Sequence, residues 1–145
     1  MEERKPWILI AEDNGQVLEM LCFSARMVGG RDVEIVGVRS VKEGIDEIKK
    51  RGEPPQRAIL DVFSNGQVTT KIDPDNSFLR LGGVLVLKET PEIVIFGASK
   101  EANRNMSGLL NKVVRITGNS TNILIENKPG DGDISDIFSS VQIIE

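Results

Sequence analysis

The 145-residue sequence predicts an α/β fold, a doubly wound, five-stranded parallel sheet with helices on both faces. Two observations carry that reading. Short β-branched apolar runs recur at Trp7–Ala11, Val33–Val38, Arg57–Leu60, Ile93–Phe96 and Ile123–Ile125, each of a length and apolarity suited to a buried parallel strand. Stretches of helical spacing lie between and after them, and strict alternation of the two requires right-handed crossovers and a sheet covered on both sides.

The helices follow in order. Val17, Leu18, Leu21, Cys22, Ala25 and Val28 share one stripe, and Gly29-Gly30 should end that first helix. The second opens with the capping box Ser40-Val41-Lys42-Glu43, buries Val41, Ile45 and Ile48, and closes at Gly52 before Pro54-Pro55. A third is predicted from about Asn76 to Glu89, although Gly82-Gly83 costs it roughly 1 kcal/mol per glycine relative to alanine. A fourth follows Ser99 to about Val114, with Asn103 to Asn105 on its wet side, and a last one starts near Asp133 with an N-cap at Asp133-Ile134-Ser135-Asp136. Five units of this kind suggest the flavodoxin-like strand order 2-1-3-4-5. Cys22 is expected to be inert core and Trp7 to pack at the sheet edge.

One stretch breaks the rhythm. Residues 64–76 are polar and too long for a βα loop of roughly 2–6 residues, which marks an insertion into a single domain spanning 1–145. Gln67–Ile72 is a candidate hairpin turning at Asp73-Pro74-Asp75-Asn76. Because residues 66–76 leave strand 3 just after Asp61, they are expected to lie over that end of the sheet. Asp73, Asp75 and Ser77 mimic the first ligands of a calcium loop, but Phe78 stands where glycine is required and Val84 where the terminal glutamate belongs, so a polar turn is the simpler reading.

Composition limits the chemistry. With no histidine and one cysteine, the chain cannot build Ser-His-Asp or Cys-His nucleophile systems, His-ligated zinc or an internal disulfide. Twenty-two acidic against 18 basic residues, net −4, lack the basic footprint of a nucleic-acid binder. The charged N-terminus is no secretory signal, and no apolar run approaches the ~20 residues of a membrane span, so a cytoplasmic protein without membrane contact is expected.

In an open α/β sheet, ligands bind beyond the carboxyl ends of the strands, beside the switch point between strands 1 and 3. Strand 1 delivers Glu12-Asp13-Asn14-Gly15 there, strand 3 Asp61, strand 4 Gly97-Ala98-Ser99 and strand 5 Asn127-Lys128-Pro129. Two carboxylates in the first βα loop would repel a phosphate that a glycine-rich loop would cradle, and a divalent cation resolves the conflict. Mg²⁺ suits a few carboxylate oxygens, and Glu12, Asp13 and Asp61 can supply them. Asp61, held at the end of the buried run Ala58-Ile59-Leu60, is the candidate nucleophile for a phosphoryl group, with Lys128 as a mobile countercharge. Taken singly these residues have plainer readings. Glu12-Asp13-Asn14 serves equally as first-turn acids and an N-cap, Asp61 as a strand-ending turn residue, and Lys128-Pro129 as exposed punctuation.

Together, these residues resemble the receiver domain of two-component response regulators. Ile8-Leu9-Ile10-Ala11-Glu12-Asp13-Asn14 is similar to that family's first strand and acidic pair, Ala58–Asp61 to its phosphoacceptor strand, Lys128-Pro129 to its lysine-proline pair, and Gly83–Lys88 to its third helix. The resemblance covers the chain apart from the 64–76 insertion. It implies a phosphoacceptor signalling domain rather than an enzyme: Asp61 takes a phosphoryl group from a phosphohistidine on a histidine kinase or histidine phosphotransfer protein. Glu12, Asp13, Asp61 and the backbone carbonyl of Phe63 would hold Mg²⁺, Lys128 would contact the phosphoryl oxygens, and, with no output domain visible, the chain either passes its signal to a downstream protein target through protein contacts or is a fragment of something longer. The sequence also departs from the family. Gly97 occupies the slot of the switch threonine or serine, with Ser99 two residues later; Ile125 replaces the aromatic before the lysine; Asn65 stands where a proline follows the phosphoacceptor. Gly97 and Ile125 favour an alternative, an unphosphorylated pseudo-receiver acting as an interaction module. A Mg²⁺-dependent phosphohydrolase is a third reading, against which Phe63 stands where an Asp-x-Asp pattern needs its second aspartate.

Overall fold

The computed structural model describes residues 5–65 and 71–126. Within them, five strands and four α-helices alternate: β1 (Trp7–Ala11), α1 (Gly15–Gly29), β2 (Glu34–Val38), α2 (Val41–Arg51), β3 (Arg57–Leu60), α3 (Leu79–Leu87), β4 (Glu92–Ile95), α4 (Lys100–Thr117) and β5 (Asn122–Ile125), with one 3₁₀ turn at Gly30–Asp32. All strand pairs are parallel and the order is β2-β1-β3-β4-β5. The path runs one way from β1 to β2 and the other way from β2 through β5. Right-handed crossovers therefore put α1 on one face and α2, α3 and α4 on the other.

The core divides accordingly. Ile8, Ile10, Ile35, Ile59, Val94 and Phe96 form the face that packs with Leu18, Leu21, Cys22 and Ala25 of α1. Leu9, Ala58, Leu60, Ile93 and Ile95 form the other, against Ile48, Leu81, Leu85, Met106 and Leu110. Cys22 is buried, and that burial pushes its thiol pKa up, which leaves it protonated and inert. Trp7 is fully buried on the inner strand β1 rather than at a sheet edge, with the Arg51 guanidinium 4.7 Å from its ring centroid. Arg57, the one charge in the third apolar run, is tolerated because its register partner on β4, Glu92, accepts from its guanidinium, the Nε to Oε2 distance being 2.6 Å.

Helix ends follow local chemistry. Ser40 Oγ accepts from Glu43 N at 3.2 Å, but Glu43 returns its carboxylate to the Arg39 amide, one residue before the cap, at 2.7 Å. The third helix starts three residues later than its sequence pattern predicts, because Asn76 to Phe78 are used elsewhere. Ser77 pairs antiparallel with Phe63, Phe78 N donates to Val62 O and Ser64 N to Asn76 O, so the insertion returns as a short ladder. It ends at Leu87 because Glu89 adopts the left-handed conformation, φ 61°. The fourth helix runs three residues past Val114 to Thr117, where Gly118 supplies the left-handed cap that Val114 cannot. The turn at 74–76 forms as predicted, with Asp73 Oδ1 accepting from the amides of Asp75 and Asn76, so its carboxylate is committed to its own backbone. Most of the hairpin expected at Gln67–Ile72 and the helix expected near Asp133 lie outside the described residues. Among the described residues, no helix is long and apolar enough to cross a membrane.

The glycine pair in α3 has an asymmetric role. A Cβ on Gly82 would stand 2.8 Å from Leu110 Cδ2, whereas one on Gly83 would meet nothing within 4 Å. Gly82 thus permits the approach of α4, and Gly83 only costs helix propensity. Gly83→Ala should stabilise the domain by about 0.5–1 kcal/mol, and Gly82→Ala should destabilise it by about 1 kcal/mol once overpacking is set against propensity. Urea unfolding of the two variants checks this; equal stability would show that the helices do not meet at Gly82.

Candidate functional site

The carboxyl ends of β1, β3 and β4 open into one cavity of about 240 Å³, lined among others by Glu12, Asp13, Asp61, Phe63, Gly97 and Ser99. Carboxylate oxygens of Glu12, Asp13 and Asp61 all lie within 4.8 Å of one another. Register puts them there. Ala11 pairs with Leu60, and the next amide, Asp61 N, donates to Ala11 O at 2.9 Å, so Glu12 and Asp61 leave neighbouring strands at the same level. Glu12 N donates to Val38 O at 3.1 Å, and the side chain is 1% exposed; Asp13 and Asp61 are half-buried. Asp61 Oδ1 accepts from Val62 N at 2.8 Å, which holds the carboxylate in one orientation.

The plainer reading of the first loop is resolved by Asn14. It is the N-cap of α1, accepting from Gln16 N at 3.0 Å and Val17 N at 3.2 Å, and the first turn of α1 contains no acid. Glu12 and Asp13 precede the helix and are not its cap. Three clustered carboxylates are a donor set of hard oxygens that fits a divalent cation such as Mg²⁺ or Mn²⁺. Phe63 lines the same cavity. The hydrogen bonds of the Phe63–Ser77 ladder flank that pair, so the Phe63 carbonyl is directed away from the returning strand.

Ser99 reaches the cavity as the N-cap of α4, its Oγ accepting from Ala102 N at 3.2 Å. Gly97 is occupied differently from what its sequence context suggests. Its amide donates to Asn103 Oδ1 at 2.7 Å and its carbonyl accepts from Asn103 Nδ2 at 3.1 Å, closing a ring around a fully buried asparagine. A Cβ at Gly97 would stand 2.6 Å from Asn103 Oδ1 and 2.9 Å from Val62 Cγ2. The wet-side placement of Asn103 is therefore corrected. Its spacing of three and seven to Met106 and Leu110 puts it on the apolar stripe of α4, where the side chain satisfies backbone groups at the end of β4.

Lys128 lies outside the described residues. The strand before it does reach this edge, since Glu126 N donates to Ile95 O at 2.9 Å. Arg39, not singled out by its sequence context, borders the acidic loop: its Nε and Nη2 donate to the Asp13 carbonyl at 3.1 and 2.9 Å.

No protein-family model and no curated protein matches the sequence. Solved structures do match the fold. A response regulator from Chloroflexus aurantiacus J-10-fl superposes with a TM-score of 0.62 at 21% identity, over 94% of each chain. The phosphorylated cyanobacterial phytochrome response regulator RcpA gives 0.60 at 16% identity, over 94% of this chain and 89% of that one. The manganese-bound form of the response regulator Rcp1 gives 0.59 at 13% identity, over 91% and 88%. The strand order, the placement of the helices and these superpositions agree: the chain has the fold of the response-regulator receiver domain.

Proposed function

We propose that the chain is a phosphoacceptor signalling domain in which Asp61 receives a phosphoryl group from a phosphohistidine of a partner kinase or phosphotransfer protein. The observation that carries this reading is the meeting of Glu12, Asp13 and Asp61 within 4.8 Å at the switch point of the sheet. Asp61 attacks phosphorus through a carboxylate oxygen, the bond to the donor nitrogen breaks, and the electron pair leaves with the imidazole, which gives an aspartyl phosphate. Its bond to the Val62 amide and the rigid strand behind it fix the line of attack. Glu12, Asp13, Asp61 and the Phe63 carbonyl would hold Mg²⁺, which would supply positive charge to offset that developing on the phosphoryl oxygens. Lys128 is assigned to the same oxygens and Ser99 to the cavity wall. The manganese-bound and phosphorylated receivers of the same fold support both parts of this reading. The downstream target is read by protein contact.

The Gly97–Asn103 ring favours a second reading, an interaction module of the same fold that is not phosphorylated. It ties both backbone groups of the residue facing Val62 and leaves no room there for a side chain that could follow a phosphoryl group.

Two measurements separate these readings, and a third tests whether the Gly97 wall moves once the protein is labelled. Mg²⁺ bound only by the folded form should raise the melting temperature; at ten times its dissociation constant the gain is about 1.4 kcal/mol, or about 4–6 °C for a domain near this size, and Asp13→Asn should remove most of it. Acetyl phosphate or phosphoramidate with Mg²⁺ should add one phosphoryl mass to the wild type, EDTA should prevent it, and Asp61→Asn should abolish it; an unlabelled wild type beside an active control receiver leaves the interaction module. In labelled protein, hydrogen exchange at the Gly97 amide should match the unlabelled protein, because Asn103 holds that amide in both; faster exchange on labelling would show that the wall moves.

A further inference from the structure

Arg39 is the first residue beyond β2, and its side chain crosses to the neighbouring β1–α1 loop. The guanidinium lies over Gly15, where a Cβ would be 3.5 Å from its Cζ, and it donates twice to the Asp13 carbonyl. The other end of the residue is anchored too, since its amide donates to Glu43 Oε2 at 2.7 Å in the first turn of α2. The arginine thus ties the capping box of α2 to the backbone of an acidic residue at the site.

Along that loop, the means of fixing the chain change at every residue. Glu12 is the last to bond the sheet, through Val38 O, and Asn14 is the first to bond α1, through its cap. Asp13 lies between these two supports, and its carbonyl is held by the two-pronged donation from Arg39. Asp13 is also half-buried, so its carboxylate depends on the backbone beneath it for its direction.

We propose that Arg39 is a positioning residue that clamps the Asp13 backbone, so that the Asp13 carboxylate meets those of Glu12 and Asp61 at one divalent cation. This rests on the metal site proposed above. The alternative is a plain surface cation, and the two roles predict effects of opposite sign. A positive charge beside an acidic cluster repels an incoming cation, so removing a mere surface cation tightens metal binding. Removing a clamp loosens it, as loss of the outer support of a ligand does, by about 10-fold.

The test is calorimetric titration of the whole chain with Mn²⁺ and with Mg²⁺, for wild type, Arg39→Ala and Arg39→Lys, with metal-free melting temperatures measured alongside. Arg39→Ala should bind about 10-fold more weakly while its metal-free melting temperature stays within about 2 °C of wild type, as for an exposed position. Arg39→Lys keeps the charge but loses the fork, and should also bind more weakly than wild type. A normal wild-type curve with Arg39→Ala binding as tightly or more tightly would overturn the clamp and leave the metal site standing. A flat wild-type titration would overturn the site and the clamp together.

Discussion

The site depends on one parallel strand pair. β1 and β3 are chain neighbours of neither kind, yet they lie side by side because the path reverses after β2, and their hydrogen bonds set Ala11 opposite Leu60. Glu12 and Asp61 are the next residues on each strand. A slip of one residue in this register would turn the whole apolar set of β3 toward the wrong face, so the packing of Ala58, Ile59 and Leu60 on both sides of the sheet enforces the meeting of the two carboxylates. Like charges are costly to gather, and here the hydrophobic core on both faces holds them together.

Much of this was legible in the sequence because strongly periodic elements announce themselves. The five apolar runs match the five strands to within a residue or so, and the capping box at Ser40 and the stop at Gly52 bound α2. Glu12, Asp13 and Asp61 were readable as a set because strand ends are where an α/β sheet presents its chemistry. The limits of α3 were not readable. Asn76 to Phe78 have helix-compatible neighbours, but their backbone groups are claimed by Val62 and Ser64, a contact across the insertion that no local pattern records.

The two residues the sequence hid share a cause. Asn103 and Arg39 act on backbone atoms, Gly97 and Asp13, that lie far from them along the chain or around a turn, and a side chain bonding main chain leaves no signature of residue type at its partner. Polar identity alone argued for solvent at Asn103. For Asn103 the stripe it shares with Met106 and Leu110 outweighs polarity, since a buried amide with both ends satisfied costs little. Arg39 is exposed, and only its reach across to Asp13 distinguishes it from any surface cation.

The bonded pair at Ser64 and Asn76 has a bearing on how this molecule can change over evolutionary time. It closes the inserted stretch at its base, so the end of β3 and the start of α3 meet in the same way whatever chain length lies between them. Lengthening a closed loop is cheap, about 0.6 kcal/mol for each doubling. Residues can therefore be added, lost or exchanged within the insertion with almost no penalty to the scaffold, so this stretch is free to diverge while the acidic strand ends are kept.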